Sequence, residues 1–201
     1  MKLYTLPGSC SILSQVVLSW ATQEVEIEKC SPKQLKSEDF LALNPQGSVP
    51  VLEHDGLVLR QNAAILPYLA ELFPQAPVFG LGSAAQRAQV RQWFGMVNAD
   101  IHSKISILFK TDRYVQDEVA QAQLRENVQA QLFELYAIID QHLQGKTYLV
   151  DELTIVDVYV ALTMHWCTNY LGMDLSQLAA LQSLYQMVMN DETVKQVMAA
   201  Q

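Results

Sequence analysis

The sequence predicts two dissimilar parts: an α/β unit over residues 1–76, built on a sheet of about four strands, and an all-helical unit over residues 83–201. Three observations predict this. Short apolar runs bounded by turn residues alternate with helical periodicity as far as Leu72. The stretch Pro74-Gln75-Ala76-Pro77-Val78-Phe79-Gly80-Leu81-Gly82 is rich in proline and glycine and reads as a linker. From Ser83 onward strand alternation disappears and only the helical period remains.

Lys2 to Leu6 is a short strand closed by Pro7-Gly8. Ser11 is placed to cap the helix whose apolar side is Ile12, Leu13, Val16, Val17 and Trp20. Val25-Glu26-Ile27-Glu28 alternates as a half-buried strand, parallel to the first across the helical crossover. Lys33 to Phe40 is polar, a loop with a helical turn. Asp55-Gly56 between Val51-Leu52-Glu53 and Leu57-Val58-Leu59 predicts an antiparallel hairpin. Its turn histidine, His54, reads as solvated. Asn62 is placed to cap the next helix, which carries Ile65, Leu69 and an internal Pro67 that should bend it.

In the second part, Val90, Trp93, Phe94, Val97 and Ile101 form one helical stripe. Leu124, Val128, Leu132, Leu135, Ile139 and Leu143 form another, ended by Gly145. Thr154 and Asp157 have the spacing of a capping box, with Asp in place of Glu. The helix that follows is apolar almost all round and belongs at the centre of a bundle. Leu178 to Val188 and Val194 to Met198 make two late helices.

Function centres on Asn44-Pro45-Gln46-Gly47-Ser48-Val49-Pro50-Val51-Leu52. Pro50 begins a strand, where its missing N–H is tolerated. The backbone of Val49 is then free to hold an extended peptide by strand-like hydrogen bonds. Composition narrows the partners. Half of the 201 residues are hydrophobic, and the net charge is -8, which argues against nucleic acid. The three cysteines (Cys10, Cys30, Cys167) are widely spaced without a CxxC, so no metal centre is expected, and free thiols suit a reducing, cytoplasmic setting. Neither a signal peptide nor a membrane span of about 18 apolar residues is present in the sequence.

Four segments together resemble the glutathione S-transferase family, most closely its bacterial beta class: Met1-Lys2-Leu3-Tyr4 with Pro7-Gly8-Ser9-Cys10-Ser11, the proline stretch, Gln61-Asn62-Ala63-Ala64-Ile65-Leu66-Pro67-Tyr68-Leu69, and Leu153-Thr154-Ile155-Val156-Asp157. The resemblance implies a thioredoxin-like N-terminal domain, a helical C-terminal domain and a homodimer. It implies that glutathione is the co-substrate and that small hydrophobic electrophiles are conjugated to it in detoxification. By the same resemblance, Pro50 is cis, Val49 pairs with the cysteine portion of glutathione, and Lys33 meets its glycine carboxylate. Gln61 and Asn62 hold the γ-glutamyl group, Cys10 lies beside the glutathione sulfur, and His102 lies near the thiol and the electrophile.

Two departures stand out. Gln61-Asn62 replaces the family's acidic residue and serine, so a neutral carboxamide stands where a carboxylate would pair with the γ-glutamyl ammonium. Charge-assisted bonds are about twice as strong as neutral ones. Ser103 replaces the lysine that often follows the histidine. The implied reaction is attack of the glutathione thiolate on an electrophilic carbon. Lowering a thiol pKa by about two units requires roughly 2.7 kcal/mol of selective stabilisation. Ser9, Cys10 and Ser11 at a helix start are placed to help supply it, with Tyr4 as a rival donor. Thiol-disulfide or peroxidase chemistry through Cys10, or binding without catalysis, are the alternative functions.

Overall fold

The computed structural model describes residues 1–201. They form two compact units: Met1–Leu81 together with Asn190–Gln201, and Gly82–Met189.

The first unit contains β1 (Lys2–Thr5), α1 (Ser11–Trp20), β2 (Glu26–Lys29), a 3-10 turn (Gln34–Lys36), α2 (Glu38–Leu43), β3 (Val51–His54), β4 (Leu57–Arg60) and α3 (Asn62–Leu72). The four strands run in the order β2-β1-β3-β4. β1 and β2 are parallel, with Lys2 opposite Glu26, and the other two pairings are antiparallel. Side chains alternate across a strand, so the register divides the core by face. Leu3 stands opposite Leu52, both fully buried. Tyr4 and Val51, the next register pair, face the other way into a cluster with Cys30, Leu35 and Phe40. Asp55 and Gly56 both have positive φ (49° and 80°), as a tight hairpin turn with right-handed strand twist requires.

His54 is not simply solvated. It is half-buried, and its Nδ1 lies 2.7 Å from the Tyr68 hydroxyl on α3. Neither helix cap falls where local chemistry put it. Cys10 is the N-cap of α1 and Gln61 that of α3, neither capping its helix through its side chain. Ser11 and Asn62 are instead the first helical residues, both buried, Ser11 hydrogen-bonded back to Leu6 and Asn62 to Ser14 on α1.

The second unit contains α4 (Ala84–Gly95), a π-helical turn (Met96–Ile101), α5 (His102–Phe109), α6 (Glu118–Leu143), α7 (Ile155–Asn169) and α8 (Ala179–Asn190). α7 is buried along nearly its whole length. Its start is fixed by the capping box: Asp157 accepts from Thr154 N and Thr154 Oγ1 with one oxygen (2.9 and 2.8 Å) and from Leu149 N with the other (2.9 Å). The expected second domain, 83–201, differs from this division in its last segment. α9 (Glu192–Ala199) is amphipathic, buries Val194 and Val197, and packs on α1 of the first unit. No helix is long and apolar enough to cross a membrane.

Candidate active site

β1 delivers the chain to Pro7-Gly8, and Ser9 N donates to Leu6 O at 3.1 Å to close the turn. Cys10 follows, half-buried, with its Sγ donating to the Val49 carbonyl at 3.8 Å. Burial pushes its thiol up to about 11, outweighing a backbone hydrogen bond that acts the other way. At neutral pH Cys10 therefore keeps its proton. The Ser9 hydroxyl lies 2.8 Å from that of Ser11 and accepts from Ser11 N at 3.3 Å. Ser11 in turn ties back to Leu6, its hydroxyl donating to the carbonyl at 3.4 Å.

The loop that presents Val49 is held from within. Asn44 is buried, donates to Ser48 O at 2.7 Å and accepts from Gln46 N at 3.2 Å. Gly47 has φ +59°, and a Cβ there would come within 2.9 Å of the Leu35 carbonyl, so only glycine is accommodated without a shift. The Val49–Pro50 bond is cis.

The loop is also held from outside. Arg60, the last residue of β4, donates to Leu43 O through Nε at 2.8 Å and Nη2 at 2.5 Å, which anchors the end of α2. Gln61 has φ 71° and donates to Gln46 Oε1 at 2.6 Å. Asn62 is committed on both sides: its Oδ1 accepts from Ser14 Oγ at 3.1 Å, and its Nδ2 donates to Cys10 O at 3.0 Å. Lys33 is exposed at the N-cap of the 3-10 turn. Tyr4 packs edge-on against Phe40 and donates to Glu53 Oε2 at 3.2 Å. Burial, with the Glu53 carboxylate next, raises its phenol above the ordinary range. Tyr4 lines a cleft of about 580 Å³ with Glu28, Asp39 and Phe40.

His102 lies in the second unit, directly after the π-helical turn. Its Nδ1 is 2.5 Å from the hydroxyl of Tyr159 on α7, and that hydroxyl donates to Asn98 Oδ1 at 3.2 Å. The Trp166 ring lies 5.2 Å from the imidazole, centroid to centroid. Burial chiefly, and then the positive charge of Lys110, lowers the His102 pKa to about 4. His102 is thus a neutral imidazole under ordinary conditions. No cluster of His, Cys, Asp or Glu suited to a metal ion is present.

Residues 1–71 match the family model described as "Glutathione S-transferase, N-terminal domain", and residues 99–192 match "Glutathione S-transferase, C-terminal domain". The chain belongs to the glutathione S-transferase family. It is 38% identical to the glutathione S-transferase GST-4.5 of Xanthomonas campestris, over 100% of this chain and 98% of that one. Among solved structures, a glutathione S-transferase from Xylella fastidiosa superposes with a TM-score of 0.92 at 32% identity, covering 99% of this chain and 97% of that one. A sphingomonad glutathione S-transferase complexed with glutathione gives 0.85 at 25% identity, covering 100% and 98%.

Within this glutathione S-transferase, direct hydrogen bonds join three of the sequence-expected site residues: Cys10 to Val49, and Asn62 to Cys10. Ser9 precedes Cys10 and bonds instead to Ser11, which ties back to Leu6, while Gln61 is tied to the loop before Val49 through Gln46. Lys33 makes no such link. Sequence reasoning missed the roles of Asn44, Arg60, Asn98 and Tyr159. Tyr159 carried a usable signal, because a phenol in an otherwise apolar central helix must find a polar partner when buried.

Proposed function

We propose that this chain is a glutathione transferase that joins the glutathione thiolate to hydrophobic electrophiles. The observation that carries this reading is the bonded set Val49–Cys10–Asn62: one peptide edge beside cis Pro50, one thiol and one helix start held together by two hydrogen bonds. In this reading Val49 pairs with the cysteine portion of the tripeptide. The sulfur of glutathione lies beside Cys10, whose one S–H turns from the Val49 carbonyl to donate to the thiolate and so stabilises its charge. Ser9 supports the turn. The start of α3 receives the γ-glutamyl group, with Gln61 and backbone N–H groups as donors. Lys33 meets the glycine carboxylate, which is consistent with its exposure. His102 takes part as a neutral imidazole.

The family's homodimeric assembly, a cytoplasmic location and a role in detoxification go with this reading. Thiol-disulfide chemistry through Cys10 is less well supported, because a thiol with a pKa near 11 is almost wholly protonated at pH 7, and the thiolate is the reactive species. The test is a calorimetric titration with glutathione, followed by conjugation assays with aryl halides, epoxides and enones. Saturable binding with turnover is the expected result. Absence of both overturns the proposal.

A further inference from the structure

Three side chains from three successive or facing elements meet in the second unit: Asn98 in the π-helical turn, His102 at the start of α5 and Tyr159 on α7. Tyr159 is fully buried, and its ring stands nearly perpendicular to the imidazole at 86° with centroids 5.8 Å apart. A phenol has one hydrogen. Here that hydrogen goes to Asn98 Oδ1 at 3.2 Å. The same oxygen lies 2.5 Å from His102 Nδ1, so at that contact it must accept, and Nδ1 must carry the proton. A neutral imidazole has only one N–H, which leaves Nε2 with a free lone pair.

We propose that Asn98 and Tyr159 are positioning residues that hold His102 in the Nδ1–H tautomer and so present Nε2 as an acceptor. The catalytic consequence rests on the transferase reading above; the tautomer does not. The direction of the relay is set at its far end. Asn98 offers its oxygen, the phenol passes the polarity on, and the imidazole receives it. Reversing the Asn98 carboxamide would reverse every donor in the chain and put the proton on Nε2. The wide π turn closes with His102 N donating to Val97 O, five residues back, so Asn98 and His102 leave the helix from a segment with its own geometry.

The test is long-range ¹H–¹⁵N correlation on histidine-labelled protein at neutral pH, with the His102 signals assigned by their loss in His102→Asn. The wild type should show a protonated Nδ1 and an unprotonated Nε2. Asn98→Asp, whose carboxylate can only accept, should keep that pattern. Tyr159→Phe should lose it and move the proton toward Nε2. Asn98→Ala, at a half-exposed position, gives a second variant should Tyr159→Phe fold poorly, and it should weaken the preference. In turnover, Tyr159→Phe should lower kcat about tenfold with the KM for glutathione unchanged.

A wild type carrying Nε2–H, or an unchanged tautomer in Tyr159→Phe, overturns the proposal. A changed tautomer with unchanged kcat overturns the positioning role. A protein that conjugates nothing yet shows Nδ1–H loses the transferase reading and keeps the relay.

Discussion

Cys10 points its sulfur at a carbonyl and, with a pKa pushed up to about 11, acts as a hydrogen-bond donor. One such donor is worth on the order of 1 kcal/mol. On the proposed reading, Cys10→Ala should therefore reduce kcat/KM roughly five- to tenfold at pH 7 and shift the acid limb of its pH profile to higher pH, because the glutathione thiol loses a stabilising partner and its pKa rises. Cys10→Ser should recover most of that loss. Equal activity of all three proteins across the profile would remove Cys10 from the reaction. At this scale the sequence was legible where a residue's place in the fold comes from its neighbours in the chain. Cys10 sits after a turn and before a helix, and Val49 precedes a proline at a strand start. It was less legible where the role comes from a distant partner. Asn62 read as a cap, but its side chain bonds to Ser14 and Cys10, 48 and 52 residues away. Nothing local distinguishes those uses.

Among elements, the connection from α2 to β3 depends on Arg60. Two hydrogen bonds from its guanidinium hold the last carbonyl of α2, just before Asn44 starts the loop. Charged donors of this kind contribute about 1.5–3 kcal/mol. On the proposed reading, in which the loop presents glutathione without touching the reacting atoms, Arg60→Ala should raise the KM for glutathione about tenfold while leaving kcat within about twofold. Arg60→Lys should restore part of the loss, because an ammonium cannot reproduce the fork. Steady-state kinetics with glutathione varied separates these outcomes. The hairpin at Asp55-Gly56 and the box at Thr154–Asp157 were readable, since each is a local device with fixed spacing. The π turn at Met96–Ile101 was not. Val90, Trp93, Phe94, Val97 and Ile101 read as one continuous stripe, and a single inserted residue per turn leaves such a stripe almost intact.

For the whole molecule, the partly buried neutral His102 couples folding to pH. Its pKa is lowered from 6.5 to about 4 in the folded protein, so between those values the unfolded chain binds more protons. The stabilisation is complete above pH 6.5 and is lost as pH falls toward 4. From pH 7.5 to pH 5 this amounts to about 2 kcal/mol. His102→Asn should show a shallower fall in unfolding free energy over that range in urea titrations. His165, also lowered by burial, titrates in both proteins, so the difference isolates His102. Parallel curves would refute the linkage. At this scale the sequence carried the change of pattern near residue 82, because it is a change of hydrophobic period. It did not carry the destination of the last helix, since an amphipathic stripe says that it must be covered but not by what.

That destination limits how this protein can be dissected. Val194 and Val197 of α9 are buried, and the helix rests on α1, so a fragment ending near residue 81 would bare an oily strip along that helix and invite clumping. Anyone wishing to graft the sheet module elsewhere should splice Asn190–Gln201 back on through an artificial tether.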